Sequence, residues 1–289
     1  METKIIEKSL GVSKKVKKGV VIEINLVEDV ETFASIKFSD KIWNNIKEYM
    51  FITEYMCDNV NINIISPKQI ITEDLGKMFE MAICLSYEVE YDGKYKYSIE
   101  EANIIKERIY KLKDVFPYKI KHIAKNGNKY DFVSLENEDI HLSAKTTKRD
   151  GKVCPQVIGQ PSKKKFCEFF GIDLQYNLEQ IKEYIQHNVN SLLNIYALNT
   201  FDCPVVYYNK HKNLLLFIKL KENINWTNCD ITFSHVIKNK KWNESSCIII
   251  NNNTIGEFQI HNHRDCIKFR WSFEKMLNLF KDNFEIIYL

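Results

Sequence analysis

The sequence predicts an α/β (α+β) domain, with a mixed central β-sheet flanked by helices and a strand-rich C-terminal part. Three observations predict it: apolar residues recur at helical spacing before residue 115, two alternating segments meet at a polar turn between Lys129 and Thr147, and several short apolar runs follow Pro204. Helices before and after a hairpin, then a series of strands, fit a layered sheet better than a bundle or a sandwich. Gly and Pro are few, at 9 and 5, and no repeat or linker divides the 289 residues. One domain spanning 1–289 is therefore expected, with an N-terminal region 1–70, a core 71–170 and a C-terminal region 171–289.

In chain order, a helix is expected from Val30 to Tyr55 and a second from Thr72, where Glu73 and Asp74 favour the positive end of the helix dipole. A third covers Ser98 to Lys113. Asn137, Glu138 and Asp139 supply the turn of the hairpin, a basic loop follows, and Leu178, Ile181, Ile185, Val189, Leu192 and Tyr196 carry one helical stripe from Asn177 to Leu198. Strands are expected at Pro204–Tyr208, Leu214–Leu220, Ile231–Ile237, Cys247–Ile250 and Gly256–His261. A helix at Ser272–Phe280 and a terminal EIIYL run close the chain.

Composition narrows function only slightly. Lys and Arg number 41 against 38 Asp and Glu, a formal charge of +3 that is compatible with a nucleic-acid partner without identifying one. No run of about 18 apolar residues is present, so neither a membrane span nor secretion is expected and the chain reads as a soluble cytoplasmic protein. Its 8 cysteines include no CxxC pair and read as reduced, mostly buried thiols. There is no P-loop, GxGxxG or GxSxG string to suggest nucleotide or acyl chemistry.

The informative segment is YDFVSLENEDIHLSAKTTK, residues 130–148. With a turn centred on Glu138, Asp131 lies opposite Lys145 and Val133 opposite Ser143, while Leu142 and Ala144 face the other way, toward a core. An aspartate can hold a hard cation against a phosphate oxygen, and a neighbouring ammonium can orient a water or balance developing charge, which are the needs of phosphodiester hydrolysis. A cross-strand ion pair on a solvated sheet face is the plainer alternative.

An Asp opening one hairpin strand, followed by a strand ending in xAK and then Thr residues, resembles the core of the PD-(D/E)xK nucleases. Tyr130 stands where that family has Pro, and Ser143 where it has its second acid. The resemblance implies a restriction-endonuclease-like core and a Mg2+ cofactor held by Asp131, with the Ala144 carbonyl a further ligand and Lys145 positioning water. It also suggests Glu80 as a replacement acid, presented by a first helix in which Leu75, Met78, Phe79 and Ala82 form one apolar stripe and Gly76, Glu80 and Cys84 a neighbouring one, with Gly76 permitting close approach to the sheet.

Downstream, KVCPQVIGQ (residues 152–160) resembles strings in type II restriction endonucleases. Lys148, Arg149, Lys152 and Lys163 are candidate phosphate contacts, and Gln156 and Gln160 candidate base readers. The cluster His261, His263 and Arg264 is expected to touch DNA or a dimer partner, with an HxH metal site including Cys266 left open. The resemblance implies site-specific cleavage of double-stranded DNA by a homodimer, with a cognate DNA methyltransferase acting on the same site. A nuclease-fold protein that only binds DNA, and a structure-selective repair or recombination nuclease, are the alternatives.

Overall fold

A computed structural model describes residues 3–6, 21–26, 54–57, 60–65, 72–124, 128–148 and 151–289. The chain forms two compact units, Met1–Ile71 and Thr72–Leu289. In the first, strands β1 (Thr3–Ile6), β2 (Val21–Leu26), β3 (Glu54–Cys57) and β4 (Val60–Ile65) make an antiparallel sheet in the order β1-β2-β4-β3. The helix expected at Val30–Tyr55 falls outside the described residues apart from Glu54 and Tyr55, which open β3 instead.

The second unit begins with α1 (Thr72–Tyr87), which starts where the sequence places it. The expected Ser98–Lys113 helix is divided: α2 (Ile99–Arg108) is capped by Ser98, whose hydroxyl accepts from the Glu101 amide, and a separate helical turn spans Leu112–Val115. Strands β5 (Ile120–His122), β6 (Phe132–Ser134), β7 (His141–Thr147) and β8 (Lys152–Val153) follow. Ser162 then caps α3 (Lys163–Phe170), so three lysines read as loop occupy the first helical turn. The long stripe after Asn177 is two helices, α4 (Leu178–His187) and α5 (Val189–Phe201), separated at Asn188, where the backbone leaves helical geometry.

The rest alternates in the expected manner: β9 (Val205–Asn209), β10 (Leu214–Leu220), β11 (Ile231–Phe233), β12 (Ser245–Ile250), β13 (Asn253–Ile260), β14 (Ile267–Ser272), α6 (Phe273–Leu279) and β15 (Phe284–Tyr288). The strand expected at Ile231–Ile237 stops at Phe233, because Ser234 begins a helical turn and its Oγ accepts from the Cys247 amide.

A six-stranded mixed sheet runs β15-β10-β9-β7-β6-β5, with β7 and β9 parallel and every other pair antiparallel. A five-stranded antiparallel sheet runs β11-β12-β13-β14-β8. Partners across a ladder share a face. Ala144, Val206 and Phe217 therefore lie on one side of the mixed sheet with Leu142, Tyr208 and Leu215, and this side meets α1, since Phe79 packs against Tyr208. Ser143, Lys145, Val205, Tyr207, Leu216 and Ile218 lie on the other, over the core of α5 and α6 where Tyr207 packs on Phe273. That core continues through Tyr196, Phe258, Phe269 and Trp271 into the second sheet.

A polar network under β7 joins the two layers. Thr147 Oγ1 donates to Tyr207 Oη (2.7 Å), which donates to the carboxylate of Glu274 on α6 (2.8 Å), and Asn209 Nδ2 (2.6 Å) and Lys212 Nζ (2.5 Å) donate to the same group. Gly151, at φ 61°, passes beside it, and a β-carbon there would sit 3.2 Å from Glu274 Oε1. Burial disfavours the charged carboxylate of Glu274, but the donors from Lys212, Asn209 and Tyr207 outweigh it and hold the pKa below the usual range.

With its folded pKa lowered, Glu274 contributes stability that is present at neutral pH and lost as pH falls through the carboxylate range, below about 4.5. Glu274→Gln should thus lower the urea midpoint at pH 7, and the gap to the unaltered protein should narrow toward pH 4. Equal midpoints at pH 7 would show that the network does not stabilise the fold.

Candidate active site

Asp131 immediately precedes β6, and Ser143 and Lys145 lie on β7. The hairpin register differs from expectation by two residues: Phe132 pairs with Leu142 and Val133 with His141, centring the turn on Asn137 rather than Glu138. Local hydrogen bonds explain the difference. Ser134 Oγ accepts from the Glu136 and Asn137 amides, and Asn137 Oδ1 accepts from the Asp139 amide, so the loop closes early and the outgoing strand begins pairing two residues sooner than expected. Because side chains alternate with period two, a two-residue shift keeps every residue on its face.

Asp131 and Lys145 consequently meet. Lys145 Nζ lies 3.7 Å from Asp131 Oδ2, with the side chains 11% and 14% exposed, sheltered yet reachable from solvent. The same oxygen accepts from the Ala144 amide (2.7 Å), which fixes the carboxylate against β7. Lys145 Nζ also approaches the Ala144 carbonyl at 3.4 Å.

The site is completed by Gln156. Its Nε2 donates to Asp131 Oδ2 (3.2 Å) and Ser143 Oγ (3.1 Å), so both amide hydrogens of this expected base reader are engaged within the site. Buried Ser143 also accepts from Cys203 Sγ (3.6 Å), a thiol that burial pushes up to about 12 and keeps protonated. The loop carrying Gln156 is tightly constrained: a β-carbon on Gly159 would lie 2.3 Å from the Pro155 carbonyl oxygen. That loop is stitched along β14 by Phe269 N to Gly159 O (2.8 Å) and Ile267 N to Pro161 O (3.0 Å).

Tyr130 has its own role in holding this corner. Its ring stacks on His141 (3.8 Å between centroids) and its hydroxyl donates to Asp202 Oδ2 (2.7 Å), while Lys129 pairs with the same carboxylate. The residue before Asp131 is thus clamped on both sides by packing and hydrogen bonding, in the place where a proline ring would restrict the backbone instead.

Glu80 does not join Asp131. It is buried on the α1 side of the sheet, where Lys77 Nζ donates to it at 2.9 Å and His122 Nε2 at 3.1 Å. His122 Nδ1 accepts from the Asp92 amide, which leaves the ring hydrogen on Nε2, pointed at Glu80. His122 pairs with Phe132 and packs against its ring, so Glu80 belongs to the Phe132 face and Asp131 to the opposite one. Gly76 does lie over β7, where a β-carbon would make ordinary contact with Thr146 Oγ1 at 3.7 Å.

The expected DNA contacts separate into two groups. Lys148 immediately follows β7, where its carbonyl accepts from the His211 amide (3.1 Å), and Arg149 lies outside the described residues. Lys152 pairs with Glu257 (2.7 Å), whose other oxygen accepts from Arg270 Nε (2.9 Å). Burial raises the Cys154 pKa, and the fields of Lys268, Arg270 and Lys145 oppose that rise. Lys268 and Arg270 were not picked out from sequence, although the IKFRW alternation puts both on one strand face. The second group gathers at the β13–β14 turn, where Lys163, His263 and Arg264 line one cavity and His261 lies alongside; Gln160 is exposed in the intervening loop. Among the described residues Cys84, Cys154, Cys167, Cys203, Cys229, Cys247 and Cys266 are free thiols, three of them buried.

An Asp–Lys pair on one sheet face with a main-chain carbonyl beside it can bind a phosphodiester and position water. The chain is similar to a type II restriction enzyme. Over 221 residues it is 44% identical to the type II restriction enzyme CviAII of Paramecium bursaria Chlorella virus 1, an alignment that covers 76% of this chain and 64% of the relative. The chain therefore spans a little under two thirds of that relative's length. No protein-family profile and no solved structure match it.

Gln156→Leu would leave Ser143 Oγ and Asp131 Oδ2 each short of a donor, and should cost about 1–2 kcal/mol of unfolding free energy. Gln160→Leu, at an exposed position in the same loop, should stay within about 0.5 kcal/mol. Urea unfolding of both variants distinguishes them, and equal losses would show that Gln156 is not held as described.

Proposed function

We propose that this chain is an endodeoxyribonuclease of restriction-enzyme type, which hydrolyses double-stranded DNA at a short recognition sequence with Mg2+ and belongs to the PD-(D/E)xK superfamily. The observation that carries the reading is the 3.7 Å approach of Lys145 to Asp131 across adjoining strands, and the similarity to a curated restriction enzyme supports the substrate class.

The residues present fit magnesium in a spare form. All of Asp131's hydrogen bonds from described residues fall on Oδ2, leaving Oδ1 for an ion, and Mg2+ commonly uses one or two carboxylates with waters and substrate phosphate oxygens. Asp131 Oδ1 would hold it with the Ala144 carbonyl; Ser143, already accepting from Gln156 and Cys203, is a poor further ligand. When bound, the ion would polarise the phosphate and lower the pKa of an attacking water. Lys145 orients that water or offsets charge developing on the phosphate, and Gln156 and the Ala144 amide keep Asp131 aimed.

Lys148, Arg149, Lys163, His261, His263 and Arg264 are proposed DNA contacts, joined by Lys268 and Arg270. A palindromic target would require a homodimer, and self-protection would require a methyltransferase acting on the same site. On this reading the enzyme would act in the cytoplasm, where its DNA substrate would be met. Among the described residues no helix is long and apolar enough to cross a membrane.

One observation favours a second reading, a nuclease-fold protein that binds DNA without cutting it: Ser143 replaces an acid and Glu80 is engaged elsewhere. Digestion of defined linear DNA with Mg2+, followed by end sequencing, separates the two. The unaltered protein should give discrete fragments with fixed ends. Lys145→Ala should slow cleavage by at least about a hundredfold while retaining DNA binding in a mobility-shift assay, and Glu80→Gln should keep cleaving. Intact DNA with a retained shift would support the binder, and an unchanged rate for Lys145→Ala would reject the catalytic assignment.

A further inference from the structure

We infer that Glu244, His261 and His263 form a second metal site, for a divalent transition ion of the zinc class, apart from the Asp131 centre. Among the described residues these three form a group of His, Cys, Asp or Glu whose donor atoms all lie within 4.8 Å of one another. They come from two neighbouring strand ends. Glu244 immediately precedes β12, and His261 and His263 follow β13 in its turn toward β14. The Ile260 amide donates to the Glu244 carbonyl at 2.7 Å, so the sheet itself holds the ligand-bearing backbones side by side.

A second observation points to an ion rather than an ion pair. His261 Nδ1 lies 3.1 Å from Glu244 Oε2, yet it is buried and has no hydrogen-bond partner, because the contact lacks hydrogen-bond geometry. A ring nitrogen that faces a carboxylate without sharing a hydrogen with it is satisfied by a cation placed between the two. The His263 ring sits 5.3 Å from the His261 ring, on the same side of the turn. Around a tetrahedral ion with bonds of about 2.0–2.1 Å, donors stand about 3.3 Å apart, and the exposed side chains of Glu244 and His263 have room to close that distance.

Ligand chemistry selects the ion. Two imidazoles and one carboxylate suit zinc, whereas magnesium prefers an all-oxygen octahedron. Three protein ligands leave a fourth position for water or another donor. Cys266, although in the same turn, is not part of the cluster. A bound ion would tie the β13–β14 turn to the start of β12 and so fix the segment whose His263 and Arg264 line a cavity with Lys163.

The test is calorimetric titration of the chelator-treated full-length protein with Zn2+ alone, in excess Mg2+. One saturable equivalent is expected, weakened at least about tenfold by His263→Asn or Glu244→Gln, both at exposed positions that leave the core intact, and unchanged in Cys266→Ser. Asp131→Asn should also bind Zn2+ normally, so failure of the nuclease reading would leave this result standing. The absence of a saturable equivalent, its survival in both exposed-ligand variants, or its loss in Cys266→Ser would overturn the site.

Discussion

Strand β7 is held on both edges, antiparallel to β6 and parallel to β9, and this double pairing determines where Lys145 can point. A single edge would leave the strand free to slip, since hairpin register depends on a short polar loop. The β9 ladder removes that freedom by matching Ser143 to Val205 and Lys145 to Tyr207, with both β9 residues anchored in the hydrophobic core. Asp131 is then fixed from β7's own backbone through the Ala144 amide. The chemistry-bearing pair thus takes its register from main-chain hydrogen bonds, and the Gln156 and Tyr130 side chains help hold Asp131 in place.

This arrangement accounts for the two positions at which the sequence departs from the family it resembles. Tyr130 restrains the backbone before Asp131 through stacking and a hydrogen bond to Asp202. Ser143 accepts from Gln156, whose other amide hydrogen goes to Asp131, so a neutral bridge occupies the space of a second carboxylate. The bridge keeps negative charge low at a position beside Lys145, and it couples the site to β14 through the constrained Pro155–Gly159 loop.

Much of this was legible in the residues. The period-two alternation of 130–148 placed Asp131 and Lys145 on one face, and that inference withstood a two-residue error in register because face depends only on parity. The register itself was not legible, since the Ser134 and Asn137 turn bonds compete locally with a symmetric hairpin. Glu80 shows a different limit: helical spacing identified it as part of a sheet-facing stripe, but no helical pattern tells which face of a sheet a helix covers. The break at Asn188 was hidden because α4 and α5 continue the same apolar stripe across it. The 155–161 loop runs beside β14, the strand that carries Lys268 and Arg270, through a long-range contact with no local signature.

Should Asp131 and Lys145 act as one unit, a double-mutant cycle in single-turnover cleavage of DNA reports it most directly. Asp131→Asn, Lys145→Met and the double variant should be nearly equally slow, because removing either partner disables the same step. Independent multiplicative losses, with the double variant far slower than either single variant, would contradict the shared site.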